Sequence, residues 1–262
     1  MWRAGDEYDA FMGRWSESVA ADFVPWLHVP SRARWLDVGC GTGRLTRIID
    51  RGASPASIVG IDPSSGFVQT GRANYGGQGV QLLVGDGQRL PFSDWVFDAA
   101  VSGLVLNFVS EPERLVAEQI RVVRPGGTIG WYVWDSTDRM EFLQRFWTVA
   151  IELDPAAADV YERIRFSSRQ QDALRSVAES TGLDLVKVRA IDVPTIFVGF
   201  DDYWKPFLGA QGPSPAYVAG LSDASRRRLR ERLRSSLPVN EDGSIPLEAR
   251  AWAVQGTVRS PQ

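Results

Sequence analysis

Apolar residues fall along this chain in short runs separated by amphipathic stretches. WLDVG (35–39) reads as a strand that runs into Gly41 and Gly43 and then into GRLTRIIDRG, whose spacing suits a helix. SIVGID (57–62) is a second buried strand. It is followed by Pro63 and Ser64 at a helix start and by a segment ending at the turn-rich Tyr75, Gly76 and Gly77. QLLVGD (81–86) makes a third strand and FDAAVSG (97–103) a fourth. After Glu111 and Pro112, ERLVAEQIRVV carries apolar residues at helical spacing, and a turn at Arg124–Gly127 leads into a fifth strand, TIGWYVW (128–134). Apolar strands alternating with helices predict a mainly parallel α/β sheet, covered on both faces and joined by right-handed crossovers. Ligands of such sheets lie at the carboxyl ends of the strands.

Beyond Trp134 the pattern changes. MEFLQRFWTVAI (140–151) is an amphipathic helix, and SRQQDALRSVAESTGL (168–183) is a second one with Ser168 as cap and Gly182 past its end. LDLVKVRAIDVPTIFVGF reads as a strand region interrupted by Pro194. DYWKPFLGAQGPSPAY and the arginine-rich DASRRRLRERLRSSL separate it from a final strand, IPLEARAWAVQGTV (245–258). The arginine run is most simply a solvated helix face. Four regions result: a helical leader over 1–30, a ligand-binding core over 31–135, helices with a sixth strand and a lid insertion over 136–220, and a closing helix and strand over 221–262.

With 262 residues, the chain is long enough for one large α/β domain carrying such a lid. Its net charge of -3, with both signs spread along the chain, creates no field suited to nucleic acid. Cys40 is the only cysteine and His28 the only histidine, which excludes an intramolecular disulfide and leaves too few ligands for an ordinary zinc centre, so no metal is expected. No run is long enough to span a bilayer, and the charged start, MWRAGDEYDA, is unlike a signal peptide, so a cytoplasmic protein is the expectation. Ten tryptophans suit either ordinary core packing or an aromatic pocket for an apolar ligand.

The strongest chemical signal is LDVGCGTGRLT (36–46), a strand that delivers glycines into a tight turn opening a helix, so that a ligand can lie against bare main chain. A nicotinamide-binding fingerprint would place its third glycine at position 44, where Arg44 stands, and this disfavours an oxidoreductase. Asp37 followed by Gly39, Gly41 and Gly43 resembles motif I of the class I S-adenosylmethionine-dependent methyltransferases. Asp62, VGDGQRLPF, FDAAVSGLVLNFV and RVVRPGGTIGWYVW resemble the motifs that follow it, in the family's order. The leader EYDAFMGRWSESVAADFVPWL is similar to that of the type 11, ubiquinone-biosynthesis-like small-molecule branch.

This resemblance implies a doubly wound, seven-stranded, Rossmann-like sheet with an antiparallel C-terminal strand, and S-adenosylmethionine as cofactor. It also implies methyl transfer to a small-molecule acceptor by in-line displacement, although a non-catalytic cofactor-binding module would carry the same binding residues. Gly39, Gly41 and Asp37 would surround the methionine portion, Asp62 the ribose, and Asp86 with Gly87 and Gln88 the adenine. Ser102 would approach the methionine amino group through its carbonyl, with Pro63 and Leu104 as apolar walls. Arg14 is the candidate for the methionine carboxylate, with Tyr8 at the same mouth, whereas Phe11, Trp15, Val19 and Phe23 suit a helix stripe docked on the core. Trp134, Phe146, Trp147, Tyr203, Trp204 and Phe207 would either line an apolar acceptor cavity or form the core of a small lid. Asp135, Glu141 and Tyr132 lie beyond or near the end of strand five, but no motif assigns any of them the role of a general base.

Overall fold

The computed structural model describes residues 13–74, 79–136, 139–167, 171–209 and 212–260. Tyr8, Phe11, Tyr75 to Gly77 and the Ser168 cap lie outside these residues. After a 3-10 turn at Gly13–Trp15 come α1 (Ser16–Trp26), β1 (Arg34–Val38), α2 (Arg44–Gly52), β2 (Ser57–Asp62), α3 (Ser65–Asn74), β3 (Val80–Val84) and β4 (Phe97–Gly103). The chain continues through α4 (Pro112–Val122), β5 (Val123–Trp134), α5 (Glu141–Leu153), α6 (Ala157–Ser167), α7 (Gln171–Ser180) and β6 (Asp184–Phe197). It ends with α8 (Phe200–Trp204), α9 (Pro213–Gly220), α10 (Asp223–Ser236) and β7 (Ile245–Thr257).

The seven strands form one sheet in the order β3-β2-β1-β4-β5-β7-β6. β1 to β5 pair in parallel, and β7 runs antiparallel to both β5 and β6. The strand order reverses between β1 and β4, and at that switch point the two flanking loops diverge and leave a crevice at the carboxyl ends of the strands. The expected doubly wound sheet with an antiparallel C-terminal strand is therefore present.

Neighbouring residues of each central strand point to opposite faces, and both faces are apolar. Trp35 and Tyr132 join one buried cluster, while Leu36 and Trp131 join the other. The first cluster packs α1, α2 and α5 onto the sheet through Val19, Phe23, Ile49, Phe142 and Phe146. The second packs α4 and α7 through Leu115, Val116, Leu174 and Val177. Val19 and Phe23 are fully buried, so the leader's stripe docks on the core as its spacing predicts.

Two local expectations need correction, and two helices were not foreseen. The Arg124–Gly127 turn is an irregular excursion inside β5: pairing with β4 jumps from Phe97↔Val123 to Ala99↔Thr128. Pro194 does not interrupt its strand, because β6 is an edge strand and Pro194 pairs in register with Glu248; a missing N–H is tolerated where the strand has a neighbour on one side alone. The helices Ala157–Ser167 and Pro213–Gly220 fall in stretches whose sequence shows no clear apolar period.

The leader rests on a bare point of the sheet. A Cβ placed on Gly130 would lie 2.7 Å from the Leu27 side chain and 3.0 Å from Phe23. Gly130→Val is therefore expected to lower stability by about 1–3 kcal/mol through overpacking. A melting curve unchanged from the parent protein would show that the leader does not dock there.

Candidate functional site

A crevice of about 640 Å3 opens at the switch point between β1 and β4. Its floor is the bend after β1. Gly39, Gly41 and Gly43 have φ of +74°, +54° and +86°, in the left-handed region that glycine reaches without steric cost. The bend is closed by backbone bonds, with Gly39 N–H donating to Ile61 O at 2.7 Å and Gly43 N–H to Cys40 O at 2.8 Å. The two glycines at the floor do different work. A Cβ on Gly39 would collide with Val105 at 2.3 Å, so its bareness admits the loop after β4. A Cβ on Gly41 would meet nothing nearer than Phe67 at 4.0 Å, so the main chain there stays open to the crevice.

Asp62 closes β2 and faces this bend. Its Oδ2 accepts the Gly41 N–H at 3.0 Å and its Oδ1 accepts the Ser64 N–H at 2.8 Å. Burial raises its pKa, opposed by those two amide bonds. Asp37, on β1, is fully buried and accepts the Thr46 hydroxyl at 2.6 Å through Oδ2, while its Oδ1 has no partner. Burial pushes its carboxyl up to about 7; the Thr46 hydroxyl opposes the shift and the charge of Asp62 adds to it. Cys40 between them is a buried thiol, pushed well up by burial and by both carboxylates.

Of the predicted cofactor residues, Asp37, Gly39, Gly41, Asp62, Pro63, Asp86, Gly87 and Gln88 all line the crevice. Asp86 is exposed at its rim, where its Oδ1 accepts the Gln88 N–H at 2.9 Å. Gly87 is pressed against Val38, which a Cβ would approach to 2.6 Å. Leu104 lines the crevice with φ of +63°, a strained setting for a leucine, and its N–H is held by Tyr132 O at 2.8 Å.

Other expectations are not met. Arg14 does not line the crevice: its guanidinium pairs with Asp202 at 2.8 and 3.1 Å and lies over the rings of Trp15 and Phe197. Ser102 is fully buried and does not line the crevice either, whose β4 wall begins one residue later at Gly103. Trp134, Trp147, Tyr203 and Trp204 are buried in the aromatic core beside the sheet and none lines the crevice. In that core Phe146 stacks on Phe207 at 4.4 Å and the Tyr203 hydroxyl donates to Phe142 O at 2.8 Å. These residues therefore pack as a core and do not line the crevice, which fits the second of the two possibilities their sequence leaves open. His28 is exposed, Glu141 accepts the Glu248 N–H, and Asp135 accepts the Trp252 indole N–H.

The crevice is also lined by Ser16, Leu45, Phe67, Val105 and Phe108, which the sequence did not single out, and by Arg44, which it did not assign to the site. Arg44 was visible as the residue replacing a third glycine, and that substitution was the available signal. Tyr132 lines the wall with its hydroxyl against Gly103, where a Cβ would stand 2.6 Å away. Among the described residues no cluster of three or more His, Cys, Asp or Glu could hold a metal ion, and no helix is long and apolar enough to cross a membrane.

A family profile described as "Methyltransferase domain" matches residues 36–130, the segment that builds this crevice. The chain is 33% identical over 98 residues to the ubiquinone/menaquinone biosynthesis C-methyltransferase UbiE of Desulfotalea psychrophila, a match covering 37% of this chain and 40% of that protein. It is 30% identical over 164 residues to the protein of the same name from Burkholderia orbicola, covering 58% of this chain and 68% of that one. The chain spans about half the length of the first curated relatives it matches, 40% and 53%. Among solved structures, the YcgJ protein from Bacillus subtilis superposes with a TM-score of 0.61 at 17% identity, covering 95% of this chain and all of that one; this likeness extends the shared fold beyond the core.

The environment of Asp37 has a consequence for pH. A carboxyl held near 7 when folded, against 3.8 when unfolded, binds more protons in the folded state between those values. Its contribution to stability is therefore present at low pH and is lost as pH rises through about 7. The melting temperature of the ligand-free protein is expected to fall more between pH ~5 and ~8 than that of an Asp37→Asn variant. Parallel pH profiles would show that Asp37 titrates normally.

Gly103 supplies a second test. Gly103→Ala is expected to destabilise by about 1–3 kcal/mol, and Tyr132→Leu, which removes the ring atoms a Cβ would meet, to relieve part of that loss in the double variant. Additive effects would show that the Tyr132 ring does not occupy the glycine's clearance.

Proposed function

We propose that this chain, which belongs to the type 11 branch of the class I S-adenosylmethionine-dependent methyltransferases, transfers the donor's methyl group to a small-molecule acceptor and releases S-adenosylhomocysteine. The observation that carries the reading is the Asp62 carboxylate, bonded to the Gly41 amide across the one open stretch of the glycine bend. A carboxylate there accepts two neighbouring hydroxyls of a ribose laid over the bend, while the main chain of Gly41 leaves room for the sulfur-bearing chain. The unpartnered Oδ1 of Asp37 is a further sign of fit, because a buried acceptor without a donor is costly until a cationic group such as an ammonium meets it. Asp86, Gly87 and Gln88 lie where an adenine would be edged, and Pro63 flanks it.

When bound, the donor supplies an electrophilic methyl carbon on a sulfonium leaving group. The protein's part is to align the acceptor behind that carbon and to keep water away. Leu104 and Tyr132 wall the crevice near the ends of β4 and β5, Leu45 lines it from α2, and Phe108 is exposed. These surfaces suit an apolar or aromatic acceptor. The relatives' names place those proteins in ubiquinone and menaquinone biosynthesis, which is compatible with that class. Among the described residues the carboxylates lining the crevice are Asp37, Asp62 and Asp86, and no histidine lines it, so the reading favours an acceptor that supplies its own nucleophile without a strong protein base.

Formation of S-adenosylhomocysteine in the presence of a panel of apolar phenols and quinols tests the activity. Asp62→Ala is expected to weaken donor binding by roughly 1.5–3 kcal/mol, the range for hydrogen bonds to a charged group. Calorimetry showing unchanged affinity would remove Asp62 from the ribose.

A further inference from the structure

We propose that the end of the sheet that carries the crevice docks on an anionic lipid surface, with the arginine-rich α10 as its electrostatic contact. β6 runs in the same direction as β1 to β5, because it and β5 are both antiparallel to β7. The carboxyl end of β6 and the start of β7 therefore lie at the crevice end, and the segment between them, residues 198–244, begins and ends there. Eight large apolar side chains stand exposed among the described residues, and six of them belong to this end or to that segment. Val84 closes β3, Phe108 sits in the loop after β4, Ile196 and Val198 lie at the end of β6, and Leu208 and Val239 are in the connecting segment. Trp95 and Leu185, the other two, precede β4 and open β6 at the opposite end.

Within that segment α10 adds charge of one sign. It buries Leu229 and Leu233, and the face turned away from them carries Arg227, Arg228, Arg234 and Glu231. Six arginines on this helix stand against two acids, Asp223 and Glu231. Arg230 and Arg232 are answered by Asp201 and Glu152 at 2.9 and 3.0 Å, and Arg226 by Asp223 at 3.6 Å. Arg227 and Arg228 remain exposed, without an acid partner among the described residues. Glu241 and Asp242, near Val239 in the sequence, oppose this field, but Asp242 turns its carboxylate onto the Ser244 N–H and hydroxyl. The pattern decides between partners. A protein surface needs apolar side chains gathered into one contiguous patch, whereas here they stand on separate strand ends and loops. A fluid bilayer takes single aliphatic tips among its headgroups, and its phosphates attract arginines without demanding one fixed geometry. An apolar acceptor dissolved in that bilayer then reaches the crevice without crossing water. This last consequence rests on the acceptor class proposed above; the docking does not.

The test sediments the full chain with phosphatidylcholine vesicles, with and without phosphatidylglycerol, at low and high salt. Wild-type protein is expected to bind the anionic vesicles at least roughly tenfold more tightly than the neutral ones, and to be released as salt rises from ~0.05 M to ~0.5 M. Arg227→Glu combined with Arg228→Glu is expected to weaken that binding at least about tenfold, with an unchanged melting temperature. Val198→Ser combined with Val239→Ser is expected to weaken it about fivefold, and this pair serves if the glutamate pair does not fold. Leu185→Ser, at the opposite end, is expected to leave it within about twofold. Wild-type protein that stays in the supernatant with anionic vesicles overturns the proposal. So does binding that survives the charge reversal, or that Leu185→Ser weakens as much as the serine pair does. Self-association in the ultracentrifuge that the serine pair abolishes assigns the apolar end to a second copy and also overturns it. None of these measurements uses the methyl donor, so their failure is distinguishable from failure of the proposed activity.

Discussion

One hydrogen bond, from the Gly41 amide to the Asp62 carboxylate, organises the rest of the site. It joins the bend after β1 to the end of β2, and the Ser64 amide fixes the other carboxylate oxygen at the entry to α3. Burial alone would favour a neutral Asp62, and the two amides counter that tendency. The charge, the direction and the open main chain are therefore set together. A change that rotates the bend also releases the carboxylate, and a change that neutralises the carboxylate loosens the bend.

The core of this fold was legible because its strands are buried on both faces. WLDVG, SIVGID and FDAAVSG read as strands from their continuous apolar runs, and Asp62 and Asp86 were locatable as the acids that close such runs. The aromatic region beyond β5 was not legible in the same way. Trp147, Tyr203 and Trp204 have the same composition whether they line a cavity or fill a core, and only the packing distinguishes them: here Trp147 stacks with Tyr161 at 5.8 Å and Trp204 with Phe200 at 6.4 Å. Arg14 shows a related limit. It lies in the leader beside crevice-forming segments in the sequence, and what takes it away from the crevice is a partner nearly two hundred residues away, Asp202. Pairing over such separations leaves no local trace.

Close approach through glycine recurs at each wall of the crevice. Gly39 admits Val105, Gly87 admits Val38, and Gly103 admits the Tyr132 hydroxyl. The first of these contacts locks the loop after β4 against the bend after β1, the second holds the segment after β3 against β1, and the third holds β4 against β5; Leu104, between Gly103 and Val105, has a backbone setting that a leucine rarely adopts. The strain is held in place by packing on either side. The walls therefore behave as one unit whose parts cannot be exchanged singly, even though none of these glycines carries a functional group.

The position of β7 has a consequence for how the chain matures. β6 is made before β7, yet β7 is the strand that bridges it to β5. During synthesis from the amino end, the open edge of β5 and the whole length of β6 must wait for a segment that emerges later from the ribosome. Through that interval the nascent protein exposes two unsatisfied strand edges, one of them rich in valine and isoleucine, and it is then most vulnerable to pairing with the wrong neighbour.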